Sequence, residues 1–274
     1  MFDFLQNLDN DIRDALLIQL RNLWTHTSTA IEGNTLTLGE TAFVLEEELT
    51  ISGKPLKDHE EVVGHARAID LIYDLVRTGS DLTEQDLFDL HKAVQTERIV
   101  DVYKPVGRWK VEPNSTVIVS SDRQIIFEYA SPKDVPDLMQ NWLSLFQKTC
   151  KENTASKEDA LAAYVCCHVS FVRIHPFWDG NGRMARLISN VPVIRAGYPP
   201  IIIPKERRQE YIEALSEYHL SAGTVTARSE LLPRVDKVDR FKRFCAESWS
   251  ESIKLVDDAH GKQKKRNKQK NENT

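Results

Sequence analysis

From Ala160 to Val172 the chain reads ALAAYVCCHVSFV, apolar on nearly every side of a helix. Such a helix has no face to offer water, so it must lie inside a jacket of other elements. It must also stop soon after, because Pro176 disfavours helical geometry in the residue before it, His175. The next residues, Asp179-Gly180-Asn181-Gly182, form a turn-making run, and RMARLISNVPVI then resumes a helical pattern. A buried central helix, a short glycine-rich loop and the start of a second helix therefore follow one another within thirty-odd residues.

The jacket is legible in outline. Residues 9–25 place Ile12, Leu16, Leu20 and Leu23 on one helical face, and TSTAIE adds a further turn or two that stops at Gly33. Helical patterns cover 37–50, 58–77 and 134–151, and the central helix is expected over 156–173. DLTEQDLFDLHKAV opens with a capping box, Thr83 with Asp86 three residues on. The one β signal is 116–129, where two β-branched runs flank a polar stretch, as in a hairpin. The expectation is an all-α helical bundle with one small hairpin. It divides into N-terminal helices over 1–36, a main domain over 37–255 and a basic tail over 256–274. The tail has no apolar residue to bury in its last fourteen positions and is expected to be disordered.

Composition narrows the class. The chain has 274 residues, 41% hydrophobic and 28% charged, in the range of globular domains. No run approaches 18 apolar residues, so no membrane span is expected. Asp3, Asp9 and Asp11 stand where a leader peptide would need positive charge. Cys150, Cys166, Cys167 and Cys245 form no C-x-x-C pair, which favours structural thiols in a reduced, cytoplasmic setting. The net charge is -5, but GKQKKRNKQKNENT at the end carries five Lys, one Arg and one Glu. The remaining body is acidic and offers no nucleic-acid footprint, leaving the tail as the only weak candidate for one.

The chemistry concentrates in His175-Pro176-Phe177-Trp178-Asp179-Gly180-Asn181-Gly182-Arg183-Met184-Ala185-Arg186. Free amides at the start of a helix bind anions. Arg183 and Arg186, three apart, share a face of that helix and suit a polyphosphate. Asp179 is a candidate Mg²⁺ ligand, since Mg²⁺ takes one or two carboxylates and completes its shell with phosphate and water. His175 is a candidate base at neutral pH. Each part alone is ordinary; the order and spacing of all of them together are not. His168, seven residues before His175, is read as a core residue, because a third protein ligand for a metal is missing.

This run resembles the H-P-F-x-D-G-N-G-R-x-x-R signature of the Fic family at every fixed position, and the resemblance extends over about residues 10–255. It implies a protein adenylyltransferase that moves AMP from ATP to a Tyr, Thr or Ser hydroxyl. His175 would be the base and Asp179 the Mg²⁺ ligand. Gly180, Asn181 and Gly182 would form the anion hole, and Arg183 and Arg186 would hold the β- and γ-phosphates. Ser28-Thr29-Ala30-Ile31-Glu32-Gly33 resembles the family's inhibitory helix, which implies that Glu32 pairs with Arg186 and keeps the γ-phosphate out. Val117, Ile118, Val119 and Ser120 resemble the family's flap strand, on which a target protein would dock. Tyr211 lies where relatives place an aromatic residue against the adenine, and is read either so or as a core tyrosine. Self-modification and a homodimer are further possibilities that the resemblance leaves open. So are removal of AMP by the same site and a non-catalytic nucleotide-binding module.

Overall fold

The computed structural model describes residues 2–95, 101–120, 123–151, 156–233 and 235–272. Its helices are α1 (Asn10–Ile31), α2 (Leu38–Glu47), α3 (Leu56–Thr78), α4 (Glu84–Val94), α5 (Val135–Lys151) and α6 (Lys157–Ile174). After these come α7 (Asn181–Ile188), α8 (Asn190–Arg195), α9 (Arg208–Ala222), α10 (Asp239–Ser248) and α11 (Ser250–Glu272). Strands β1 (Ser115–Ser120) and β2 (Arg123–Glu128) pair antiparallel, with Ile118 opposite Ile125 and Thr116 opposite Phe127. The all-α reading with one small hairpin holds among the described residues. The hairpin tip at 121–122 and the Ser120 side chain lie outside them.

Helix α6 is the axis. It packs on α5, α7, α8 and α10, and from Ala160 to Ile174 nearly every side chain is buried. Its start is set by a capping box between Ser156 and Asp159. Its inner Arg173 donates to the carbonyls of Ala222, Gly223, Glu230 and Leu231, which ties the end of α9 to the centre. The box read at Thr83 and Asp86 is present at α4, and a second one, Thr37 with Glu40, opens α2. All four cysteines are free thiols.

Two expectations need correction. The first helix and the further turns read over TSTAIE are not separate pieces: α1 runs unbroken from Asn10 to Ile31. Thr27 and Thr29 are buried there and satisfy their hydroxyls on carbonyls one turn back. The basic tail is not disordered: α11 is helical to Glu272. Val256 and Ala259 are buried, and beyond them the tail meets the acidic start of α1. Arg266 pairs with Asp9 and Asp11, Lys270 reaches Asp9, and buried Gln263 accepts from the Asp9 amide. The Arg266 hydrogen bond pulls Asp11 down to about 2. The last fourteen positions of the tail, without an apolar residue, are ordered as far as Glu272 by charge and by the helix they continue.

Buried histidines set a pH dependence. Burial holds His65 and His168 well below the usual imidazole range, and pushes His91 to about 4 and His175 and His219 to about 3. The unfolded chain then binds more protons than the folded one below about pH 6.5, so stability falls as the pH falls. Each such group is expected to cost about 1–2 kcal/mol between pH 7 and pH 5. Urea titrations at the two pH values check this; equal midpoints would mean that these imidazoles are not buried neutral.

Candidate active site

The catalytic loop begins where α6 ends. His175 takes the left-handed conformation, φ 53°, and ends α6 one residue before Pro176, which disfavours a further helical residue there. A left-handed non-glycine residue costs about 1–2 kcal/mol, so surrounding bonds must hold it there. Asn181 does this from the far side of the loop. Its side chain is buried, accepts from the Phe177 amide at 3.0 Å and donates to the Phe177 carbonyl at 2.8 Å. Asn114 donates to the same carbonyl, and the Lys110 amide donates to the Pro176 carbonyl. The loop is thereby closed into a fixed bend over the start of α7.

His175 is oriented on two sides. Its Nδ1 lies 3.2 Å from the Val172 carbonyl, which can only accept, so Nδ1 carries the hydrogen and Nε2 keeps its lone pair. The Tyr129 ring, just past β2, stacks on the imidazole at 3.8 Å. Burial first, then the nearby Lys110 charge, keep the imidazole neutral. Lys110 is itself buried, donates its Nζ to Asn114 Oδ1, and is pushed down to about 7 by burial.

Gly180 caps α7 in the left-handed conformation, φ 76°. The first amides of α7 have no acceptor inside the helix. A carboxylate already sits over that turn: a side-chain carbon added at Gly182 would lie 2.8 Å from Glu32 Oε1 and 3.1 Å from Arg186 Nη1. Glu32, at the end of α1, accepts from Arg186 Nη2 at 2.6 Å. Arg186 also donates Nε to Ser28 Oγ at 3.0 Å and Nη2 to the Ser28 carbonyl at 2.9 Å. The Arg186 side chain is 2% exposed and that of Glu32 39%. Burial opposes the charge on Arg186, and Glu32 outweighs it, holding the guanidinium's pKa up.

Arg183 and Arg186 start on one face but do not converge. Arg183 turns toward α4, donating to the Val94 carbonyl at 2.7 Å, to Gln95 Oε1 at 3.0 Å and to Asp179 Oδ2 at 3.3 Å. Asp179 is 60% exposed at its side chain. Burial would raise its pKa, but Arg183, the Gly180 amide and Gln95 outweigh that and hold it down. An ionised, outward carboxylate beside a helix N-terminus suits a Mg²⁺ that draws its other ligands from phosphate and water. No cluster of three or more protein ligands exists among the described residues.

Sequence reasoning missed the floor of this site. His91 accepts from the Gly107 amide at Nδ1, 2.8 Å, so its Nε2 donates to the Asp179 carbonyl at 3.1 Å. Gln95 donates to Asp179 Oδ2 at 3.2 Å. A His on the buried face of α4 and a Gln four residues on, just past the end of that helix, were the available signal.

The flap strand alternates as expected. Ile118 is buried, whereas Val117 and Val119 face out. These residues and α9 enclose a cleft of about 990 Å³, with Ile212, Arg208 and Ser216 on its helical wall. Tyr211 is not on that wall. It is 4% exposed and faces the core, where it packs on Phe241 and Phe244. One residue along a helix rotates the side chain by about 100°, so Ile212 lines the cleft while Tyr211 takes the core position that was the other reading for it.

Residues 81–192 match the Fic/DOC family. The chain carries a domain of that family. The match takes in α4 through the first half of α8, so Glu32 and Tyr211 lie outside it. The protein adenylyltransferase fic-1 of Caenorhabditis briggsae is 31% identical over 195 residues, which is 70% of this chain and 36% of that relative. The chain therefore spans little more than a third of the curated relative it matches. A Fic-domain-containing signalling protein of Bacteroides thetaiotaomicron superposes with a TM-score of 0.77 at 28% identity, covering 92% of each chain. Fic-1 of Caenorhabditis elegans superposes with a TM-score of 0.67 at 26% identity, over 92% of this chain and 66% of that one.

The bend of the Fic loop depends on Asn181. Asn181→Ala leaves the buried Phe177 amide without its acceptor, an expected loss of about 1–3 kcal/mol. Denaturant unfolding measures this, and a loss below about 0.5 kcal/mol would show that the loop is held by other means.

Proposed function

We propose that the chain transfers AMP from ATP to a hydroxyl group of a protein, and that Glu32 restrains this activity from within. The observation that carries the reading is the pairing of a tautomer-fixed imidazole with an anion-binding helix start in one loop. His175 offers Nε2 as the proton acceptor because Nδ1–H is committed to Val172. The amides at the start of α7 face the place where negative charge must be held.

In this reading the triphosphate lies over the first turn of α7, with the nucleoside in the cleft between β1 and α9. The target hydroxyl attacks the α-phosphorus and its proton passes to His175 Nε2. The bond to the bridging oxygen breaks and pyrophosphate leaves with the electron pair. Phosphate anions beside His175 favour its charged form, so nucleotide binding raises its proton affinity from the low value of the free site. Arg183 enters already oriented by the Val94 carbonyl and Gln95, which spares it the entropy of ordering. Asp179 is the residue that would hold a Mg²⁺, which supplies charge neutralisation along the phosphates. The exposed apolar face of the hairpin, Val117, Val119 and Ile126, supports its use as a docking strand for an extended target segment.

Glu32 occupies the seat that a terminal phosphate needs. It is a carboxylate on Arg186 and over the Gly182 turn, so it imitates the charge and the hydrogen bonding of the anion that it excludes.

Incubation with α-labelled ATP, Mg²⁺ and a cell lysate tests both parts. Label on protein is expected to be weak in the wild type, to rise at least about tenfold with Glu32→Gly, and to vanish when His175→Ala is added. Nucleotide binding with no label in any of the three samples would refute the transferase reading.

A further inference from the structure

Arg186 is a buried cation whose hydrogen bonds are unevenly shared. Three of the four go to α1: Ser28 Oγ, the Ser28 carbonyl and Glu32. The fourth goes to the Tyr211 hydroxyl on α9, at 3.5 Å, and the guanidinium carbon lies 5.7 Å from the Tyr211 ring centre, within cation–π range. Removing the partners of a buried charge costs several kcal/mol. When Glu32 gives way to a phosphate, Arg186 keeps its two bonds to Ser28 on one side, and Tyr211 on α9 is its partner on the other.

We infer that Tyr211, backed by His168, is a positioning residue for Arg186, fixing it for the terminal phosphate of a nucleoside triphosphate. This rests on the reading of Arg186 as a phosphate clamp.

The geometry gives the pair its direction. Tyr211 Oη and His168 Nε2 are 3.1 Å apart. Arg186 can only donate, so the Tyr211 oxygen accepts from it, and the Tyr211 O–H is left to donate to His168 Nε2. His168 is fully buried beside Arg186, which keeps its imidazole neutral and Nε2 able to accept. The hydroxyl cannot then swing away without leaving Nε2 unpaired. Behind the pair, Phe241 packs on both rings. Tyr211 therefore touches the switch from behind, from an element that the release of Glu32 does not disturb.

The test compares ATP with ADP, which lacks the terminal phosphate. Calorimetry is done with Mg²⁺ in the Glu32→Gly, His175→Ala protein, which is unrestrained and does not turn over. Adding Tyr211→Phe keeps the ring and removes the hydroxyl. It is expected to lower the preference for ATP over ADP by about three- to tenfold, with ADP affinity unchanged. A merely structural role would weaken both nucleotides alike, and that result, or an unchanged preference, overturns the inference. Arg186→Ala in the same background is the control. If it abolishes the ATP preference and Tyr211→Phe does not lower it, only the role of Tyr211 fails. If Arg186→Ala leaves the preference intact, the clamp reading fails and the inference with it.

Discussion

A charged guanidinium in the interior is the constraint around which this molecule is arranged. Arg186 is almost wholly removed from water, and an unpaired charge there would not be tolerated. Its partners come from opposite ends of the sequence, Ser28 and Glu32 before the main bundle and Tyr211 after the motif. The continuity of α1 follows from the same need. A helix that broke at Thr25 would leave Ser28 and Glu32 on a loose segment, whereas an unbroken one presents both on one face, four residues apart. At the other end of α1, Asp9 and Asp11 are held by α11, so the element that reaches the site is anchored far from it.

The loop before α7 solves a different problem. A buried helix must end next to the site with its last residue usable, and the left-handed His175 turns the chain within one residue. Asn181 and Asn114 share the Phe177 carbonyl between them, while His91 holds the Asp179 carbonyl from below. Every loop carbonyl so engaged is one fewer that could compete for the amides of α7. The bend and the free helix start thus come from the same set of bonds.

What could be read from the sequence was local. The buried helix, its stop at His175, the turn through Gly180 and the capping boxes depend on near neighbours, and so does the pairing of strands in a hairpin. What could not be read depends on which helix lies alongside. Arg183 and Arg186 share a face in the sequence, yet one is drawn to the Val94 carbonyl and the other to Ser28, because α4 and α1 flank α7 on different sides. The choice between Tyr211 and Ile212 for the cleft wall is a matter of about 100° of helix phase, below what a pattern of apolar residues resolves. The order of the tail turned on acidic residues some 250 positions away, Asp9 and Asp11, which no local reading of GKQKKRNKQKNENT could supply.

The asymmetry of the Glu32–Arg186 pair bears on how a restraint of this kind can be released. Breaking a buried ion pair by deleting one member is costly because the other is stranded. Exchanging one anion for another is not, since the cation keeps a charged acceptor throughout. Arg186 is the buried member and Glu32 the half-exposed one, so the carboxylate is the partner with somewhere to go. In the proposed exchange, water would receive Glu32 as a phosphate took its seat, and the net cost would reduce to the difference between two charge-assisted contacts plus the ordering of the nucleotide. A fixed cation and a movable anion therefore let the proposed switch work by substitution, without opening the core that α6, α7 and α9 build behind it.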